Sequence, residues 1–151
     1  MEITLKMKVN EIKNREQKKA LNNWASNNFI GSIIAGTGFG KSRCAVLACH
    51  YALSNNARAK AIILVPTIQI QDQFEDEFHK WDCGDYLDRV DILCYQSAYK
   101  LIGNNYDIVV CDEIHLGLSP EYRKFFKNNT YDKLLCMTAT IPEEQEYRLE
   151  L

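Results

Sequence analysis

The sequence predicts an α/β domain built on a mostly parallel sheet with flanking helices. Three observations predict it. Short, nearly continuous apolar runs at residues 60–65 and 107–111 have the composition of strands buried on both faces. Helical periodicity separates them, most clearly over 69–80, where Ile70, Phe74, Phe78 and Trp81 recur four, four and three residues apart. The two kinds of segment alternate along the chain, the pattern of parallel strands joined by right-handed crossovers.

Ile3, Leu5, Met7 and Val9 alternate with Glu2, Thr4, Lys6 and Lys8, a period of two that predicts a half-buried strand. Residues 14–27 read as a helix with Leu21, Trp24 and Ala25 on one face. The basic cluster at its start, Lys13, Arg15, Lys18 and Lys19, reads as a solvated face. A short apolar run over 29–35, broken by Gly31, predicts a buried strand; a glycine-rich loop and a helix over 41–53 follow. The strand at 60–65 and the helix at 69–80 repeat that order, and Cys83-Gly84-Asp85 reads as a turn. Then come a strand over 90–95, a short helix over 97–102, a turn at Gly103-Asn104-Asn105 and a strand over 107–111. Ser119-Pro120 has the form of an N-cap followed by proline at the first helical position. It predicts a helix reaching about Lys127, with Tyr122, Phe125 and Phe126 as packing residues. Residues 133–137 form the last strand.

A length of 151 residues suits one domain with its own core, here taken as residues 1–151. The net charge of −2 excludes a global polyanion binder, so any nucleic acid must be met by a local patch. None of the six cysteines forms a C-x-x-C pair, which removes zinc spacing and suggests buried thiols in a reducing compartment. No apolar run approaches membrane-spanning length and the N-terminus lacks a signal-like region. The expectation is a soluble intracellular protein, cytoplasmic or nuclear, with no membrane partner.

The strongest chemical signal is Ala35-Gly36-Thr37-Gly38-Phe39-Gly40-Lys41-Ser42, which follows a predicted strand and opens a predicted helix. Gly36, Gly38 and Gly40 let backbone N–H groups turn inward, Thr37 and Phe39 complete the cradle, and the helix start adds its positive dipole end. Lys41 can reach the β and γ phosphates of ATP, and the Ser42 hydroxyl can ligate Mg²⁺. Ala35 stands where the strict pattern has glycine. The second signal is Asp112-Glu113 at the end of the predicted strand 107–111. Ligands of open α/β sheets bind outside the carboxyl ends of the strands, so both carboxylates are aimed at the crevice of the glycine loop. Asp112 can serve the Mg²⁺ shell while Glu113 orients and deprotonates the attacking water.

With these residues in order, the sequence resembles superfamily-2 helicases. Residues 36–42 are similar to motif I and Asp112-Glu113-Ile114-His115 to the D-E-x-H form of motif II. Thr138-Ala139-Thr140 resembles motif III, which more often reads Ser-Ala-Thr. Leu64-Val65-Pro66-Thr67, followed by Gln73-Phe74, resembles motif Ia. Tyr95-Gln96-Ser97 is similar to an element of restriction-translocase and excision-repair-like members. Gln17 matches the glutamine that contacts adenine, although Glu16 stands where an aromatic residue is usual. The resemblance covers nearly the whole chain. It implies a RecA-like P-loop NTPase domain that uses ATP and Mg²⁺ to move along or remodel nucleic acid. It also implies that Pro66, Thr67 and Gln96 face the nucleic acid, with DNA favoured over RNA, and that His115, Thr138, Ala139 and Thr140 couple the nucleotide site to a partner domain.

The resemblance implies a motor that pairs two RecA-like domains, and since the matched motifs stop at motif III, the second domain, with its arginine fingers, is expected outside residues 1–151. The expectation is therefore a domain that binds Mg-ATP, hydrolyses it slowly alone, and works with a second RecA-like domain in a longer product or a separate chain. A stand-alone nucleotide- or nucleic-acid-binding module is the competing reading. A different P-loop ATPase or small-molecule kinase is a third, against which the motif Ia and III matches argue.

Overall fold

The computed structural model describes residues 11–34, 40–114 and 119–138. The expected strand over residues 3–9 lies outside them. Five strands, β1 (Ile30–Ile34), β2 (Ala61–Val65), β3 (Val90–Cys94), β4 (Asn105–Asp112) and β5 (Thr130–Thr138), form one sheet in the order β1-β5-β4-β2-β3. Every pairing is parallel. Helices α1 (Glu11–Ser26), α2 (Lys41–Ser54), α3 (Ile68–Lys80), α4 (Tyr95–Ala98) and α5 (Lys124–Asn128), with a 3₁₀ turn at Gly84–Arg89, supply the connections described.

The period of two along the central strands sorts the core into two layers. Ile63, Val65, Ile108, Val110, Leu135 and Met137 pack with Leu21, Trp24, Cys44, Ala48, Phe74 and Phe78 of α1, α2 and α3. Ile62, Leu64, Val109, Cys111, Leu134 and Cys136 pack with Tyr95, Ala98 and Phe125 of α4 and α5. Burial on both faces is why β2 and β4 read as continuous apolar runs. Polar ties close the ends of the layers. The Trp24 Nε1–H donates to the Leu134 carbonyl at 2.8 Å, fastening α1 to β5. Arg89 donates to the carbonyls of Leu53, Asn56 and Ala59, covering the open C-terminal end of α2.

Three boundaries differ from the sequence reading. The helix expected over 97–102 is α4 at Tyr95–Ala98, and β3 stops at Cys94. The chain bends one residue earlier because Tyr95 turns into the core, where it is 3% exposed. The Ser119 hydroxyl does accept the Tyr122 N–H at 3.2 Å, as a cap should. The segment behind it, however, coils through three-residue turns, with Lys124, Phe125 and Phe126 N–H bonding the Glu121, Tyr122 and Arg123 carbonyls. Regular helix is confined to Lys124–Asn128. Finally, the turn at Cys83-Gly84-Asp85 opens into the 3₁₀ helix; α3 ends where Asp82 takes φ 56 and Cys83 N–H reaches back to the Phe78 carbonyl.

Candidate nucleotide site

Lys41 and Ser42 open α2 directly behind Gly40, whose φ of 84° and ψ of 43° suit a residue without Cβ. Gly40 brings no capping side chain, and the first turn of α2 holds no acidic residue. Its N–H groups and the positive end of its dipole are thus suited to an anion. The loop residues Gly36, Thr37, Gly38 and Phe39 lie outside the described residues.

Asp112 is the last residue of β4, and its register partner on β5 is Met137, one residue before Thr138. The ends of α2, β4 and β5 therefore meet at one edge of the sheet. Lys41 Nζ lies 3.4 Å from Glu113 Oε1, and the Thr138 hydroxyl donates to Glu113 Oε2 at 3.3 Å. Glu113 reaches this position with φ 48, in the left-handed region. The Asp112 carboxyl is buried and its pKa is pushed up from 3.8 to about 6. Burial is the main cause and the neighbouring Glu113 charge adds to it; Lys41 and the Glu113 N–H oppose the rise.

Pro66 is half-buried at the end of β2 and Thr67 is exposed, its hydroxyl accepting the Ile70 N–H at 3.3 Å as the N-cap of α3. Gln96 is exposed in α4. β2 and β3 are neighbours with Val65 opposite Cys94, so these three residues share the carboxyl edge on the half of the sheet away from β1. Gln17 is 2% exposed, and its amide oxygen accepts from Arg43 Nη1 at 2.6 Å. His115, Ala139 and Thr140 lie outside the described residues.

The structure adds two residues to which the sequence reading gave no role. Arg43, next to Ser42, is buried with its guanidinium 4.5 Å above the Trp81 ring and bonded to Gln17, so it ties α2 to both α1 and the end of α3. Tyr95 donates its hydroxyl to the Asp112 carbonyl at 2.8 Å. A buried-type arginine beside Lys41-Ser42 was the available signal for the first. For the second it was a tyrosine where a strand gives way to polar residues.

The all-parallel sheet brings Lys41, Glu113 and Thr138 to one edge, and comparison with known proteins places this α/β fold with the RecA-like domains of superfamily-2 helicases. The family model for the type III restriction enzyme res subunit matches residues 11–93, and the chain belongs to that family. Solved structures have the same fold. The UvsW helicase of bacteriophage T4 is 19% identical with a TM-score of 0.70, covering 89% of this chain and 55% of its own. The Sulfolobus solfataricus SWI2/SNF2 ATPase core, solved in complex with double-stranded DNA, is 16% identical with a TM-score of 0.73, covering 96% of this chain and 34% of its own. The Pyrococcus furiosus Hef helicase domain is 15% identical with a TM-score of 0.66, covering 91% and 34%. The chain thus spans about half or less of these proteins. No curated protein sequence matches it. Among the described residues, no helix is long and apolar enough to cross a membrane.

Proposed function

We propose that residues 1–151 form one RecA-like domain of the D-E-x-H type that binds Mg-ATP at the edge shared by α2, β4 and β5. Paired with a second RecA-like domain in a longer product or a separate chain, it couples ATP hydrolysis to movement on DNA. The observation that carries this reading is the convergence of Lys41 and Thr138 on the Glu113 carboxylate. Lys41 is paired with Glu113 at 3.4 Å. A triphosphate drawing Lys41 to its β and γ oxygens would release Glu113 to take a proton from water, with Thr138 still holding its second oxygen.

Ser42 and Asp112 would hold Mg²⁺. One hydroxyl and one carboxylate suit this ion, which keeps waters and phosphate oxygens rather than an all-protein cage. A carboxyl made costly to ionise by burial also fits a cation site, since a bound cation offsets that cost. Mg²⁺, when bound, neutralises phosphate charge. Residues 36–40 would cradle the phosphates through backbone N–H groups. Gln17 would meet adenine, as the resemblance implies. Pro66, Thr67 and Gln96 would face the DNA backbone, and His115, Thr138, Ala139 and Thr140 would relay nucleotide state to the partner domain. The Sulfolobus relative bound to double-stranded DNA favours DNA as the track. Without an arginine from a second domain, hydrolysis should fall short by ~10³–10⁵-fold.

The test is Mg-ATP binding and turnover by the chain, with and without single-stranded DNA or RNA, beside Lys41→Ala. Binding that is lost in the variant, with slow turnover raised by DNA, is the expected result. Binding and turnover unchanged in Lys41→Ala would refute the proposal.

A further inference from the structure

The turn that carries Glu113 is held in a backbone conformation that residues with a Cβ rarely adopt, φ 48. The peptide between Asp112 and Glu113 sets that angle, and its carbonyl receives the Tyr95 hydroxyl at 2.8 Å. Tyr95 comes from the far side of the sheet. The strand it follows, β3, is separated from β4 by β2, so the side chain spans the end of an intervening strand. It is almost fully buried, and its ring stacks on Tyr122 at 5.8 Å with an interplanar angle of 17°. Tyr122 in turn lies 5.7 Å from the Tyr99 ring. The hydroxyl therefore has little freedom to leave its acceptor. A hydroxyl donor is also the one feature of this side chain that phenylalanine would lack.

We infer that Tyr95 is a positioning residue for the water-activating carboxylate: its hydroxyl, held by the tyrosine stack, fixes the Asp112–Glu113 peptide so that Glu113 stays between Lys41 and Thr138. This rests on Glu113 having the role given above. The sequence supports a link beyond packing, because the next residue, Gln96, is exposed at the same edge. A displacement of α4 would thus be felt at Glu113 through one hydrogen bond.

The experiment compares Tyr95→Phe with the unaltered chain by three measurements: the nuclear magnetic resonance shifts of Glu113, the Mg-ATP dissociation constant, and the single-turnover hydrolysis rate. The expected result is a Glu113 resonance that leaves its left-handed values, affinity held within about threefold, and a rate at least ~10-fold lower. Unmoved Glu113 shifts, or affinity lost in step with rate, would overturn the inference. Should the unaltered chain fail to bind Mg-ATP, the proposed function falls, while the Glu113 shifts still decide whether Tyr95 holds the turn. If Tyr95→Phe does not fold, Tyr122→Leu removes the supporting ring and leaves the hydroxyl. It should move the Glu113 shifts less but in the same direction, and no movement refutes the inference.

Discussion

Replacing Asp112 with asparagine in the metal-free, nucleotide-free chain should change how stability depends on pH. The folded carboxyl titrates near about 6 against an ordinary 3.8. Well below pH 3.8 the group is neutral in both folded and unfolded chains, and nothing is lost. As pH rises from there, the unfolded chain releases the proton while the folded one retains it, so stability falls. Above pH 6 the loss is complete. At about 1.4 kcal/mol per pKa unit, it amounts to roughly 3 kcal/mol. Asparagine keeps the shape and has no charge to bury, so its stability should stay level through that interval. Denaturant unfolding of both proteins at pH 4 and pH 7.5 in the presence of a chelator measures the difference directly. The gap between variant and original should widen by about 2 kcal/mol in the variant's favour on going to the higher pH, since the unfolded carboxyl is already partly ionised at pH 4. Added Mg²⁺ should raise the melting temperature of the original chain more than that of the variant. Parallel profiles for the two proteins would mean that burial does not tax this carboxylate, and the argument for a cation site beside it would fail.

Trp24→Phe should lower stability by ~1–3 kcal/mol, the usual cost of leaving a buried acceptor such as the Leu134 carbonyl without its donor. Urea unfolding measures it, and Mg-ATP affinity of the folded fraction should not move. Burial pushes the Cys44 and Cys49 thiols up to about 12 and also raises Cys111 well above the ordinary thiol value, so the native chain should resist iodoacetamide at pH 8 at these three positions and react once unfolded. Peptide mapping by mass spectrometry after labelling decides it, and rapid native labelling of any of them contradicts their placement in the core.

Much of the sheet was legible because β2, β4 and β5 are short apolar runs between turn signals, and a run buried on both faces leaves a plain mark on composition. The same logic made the carboxyl edge legible: a glycine loop after one strand and two carboxylates after another must share it in a parallel sheet. The partnership of Lys41, Glu113 and Thr138 follows from β5 lying beside β4, and strand order is not written in local periodicity. Gln17 illustrates the limit. Sequence alone suggested a base contact, whereas its tie to Arg43 depends on how α1 packs against α2. Ser119 was readable as a cap, but how far regular helix extends behind a cap depends on the packing of Tyr122 and Phe125, which no window of neighbours encodes. Tyr95 was missed for a similar reason. Its acceptor is seventeen residues away and two strands over.

The position of β5 has a consequence for how the domain comes into being. Ribosomes deliver β1 and the helix bearing Lys41 long before residues 130–138, yet β1 bonds to β5 and β4 lies on β5's other side. Until β5 slides between them, β1 has no neighbour in the sheet, and α2 with its lysine meets β2 and β4 through side-chain packing alone. Acquisition of nucleotide affinity by a nascent chain would therefore report insertion of the final strand, and ligand binding would act as a latch on a structure whose keystone arrives late.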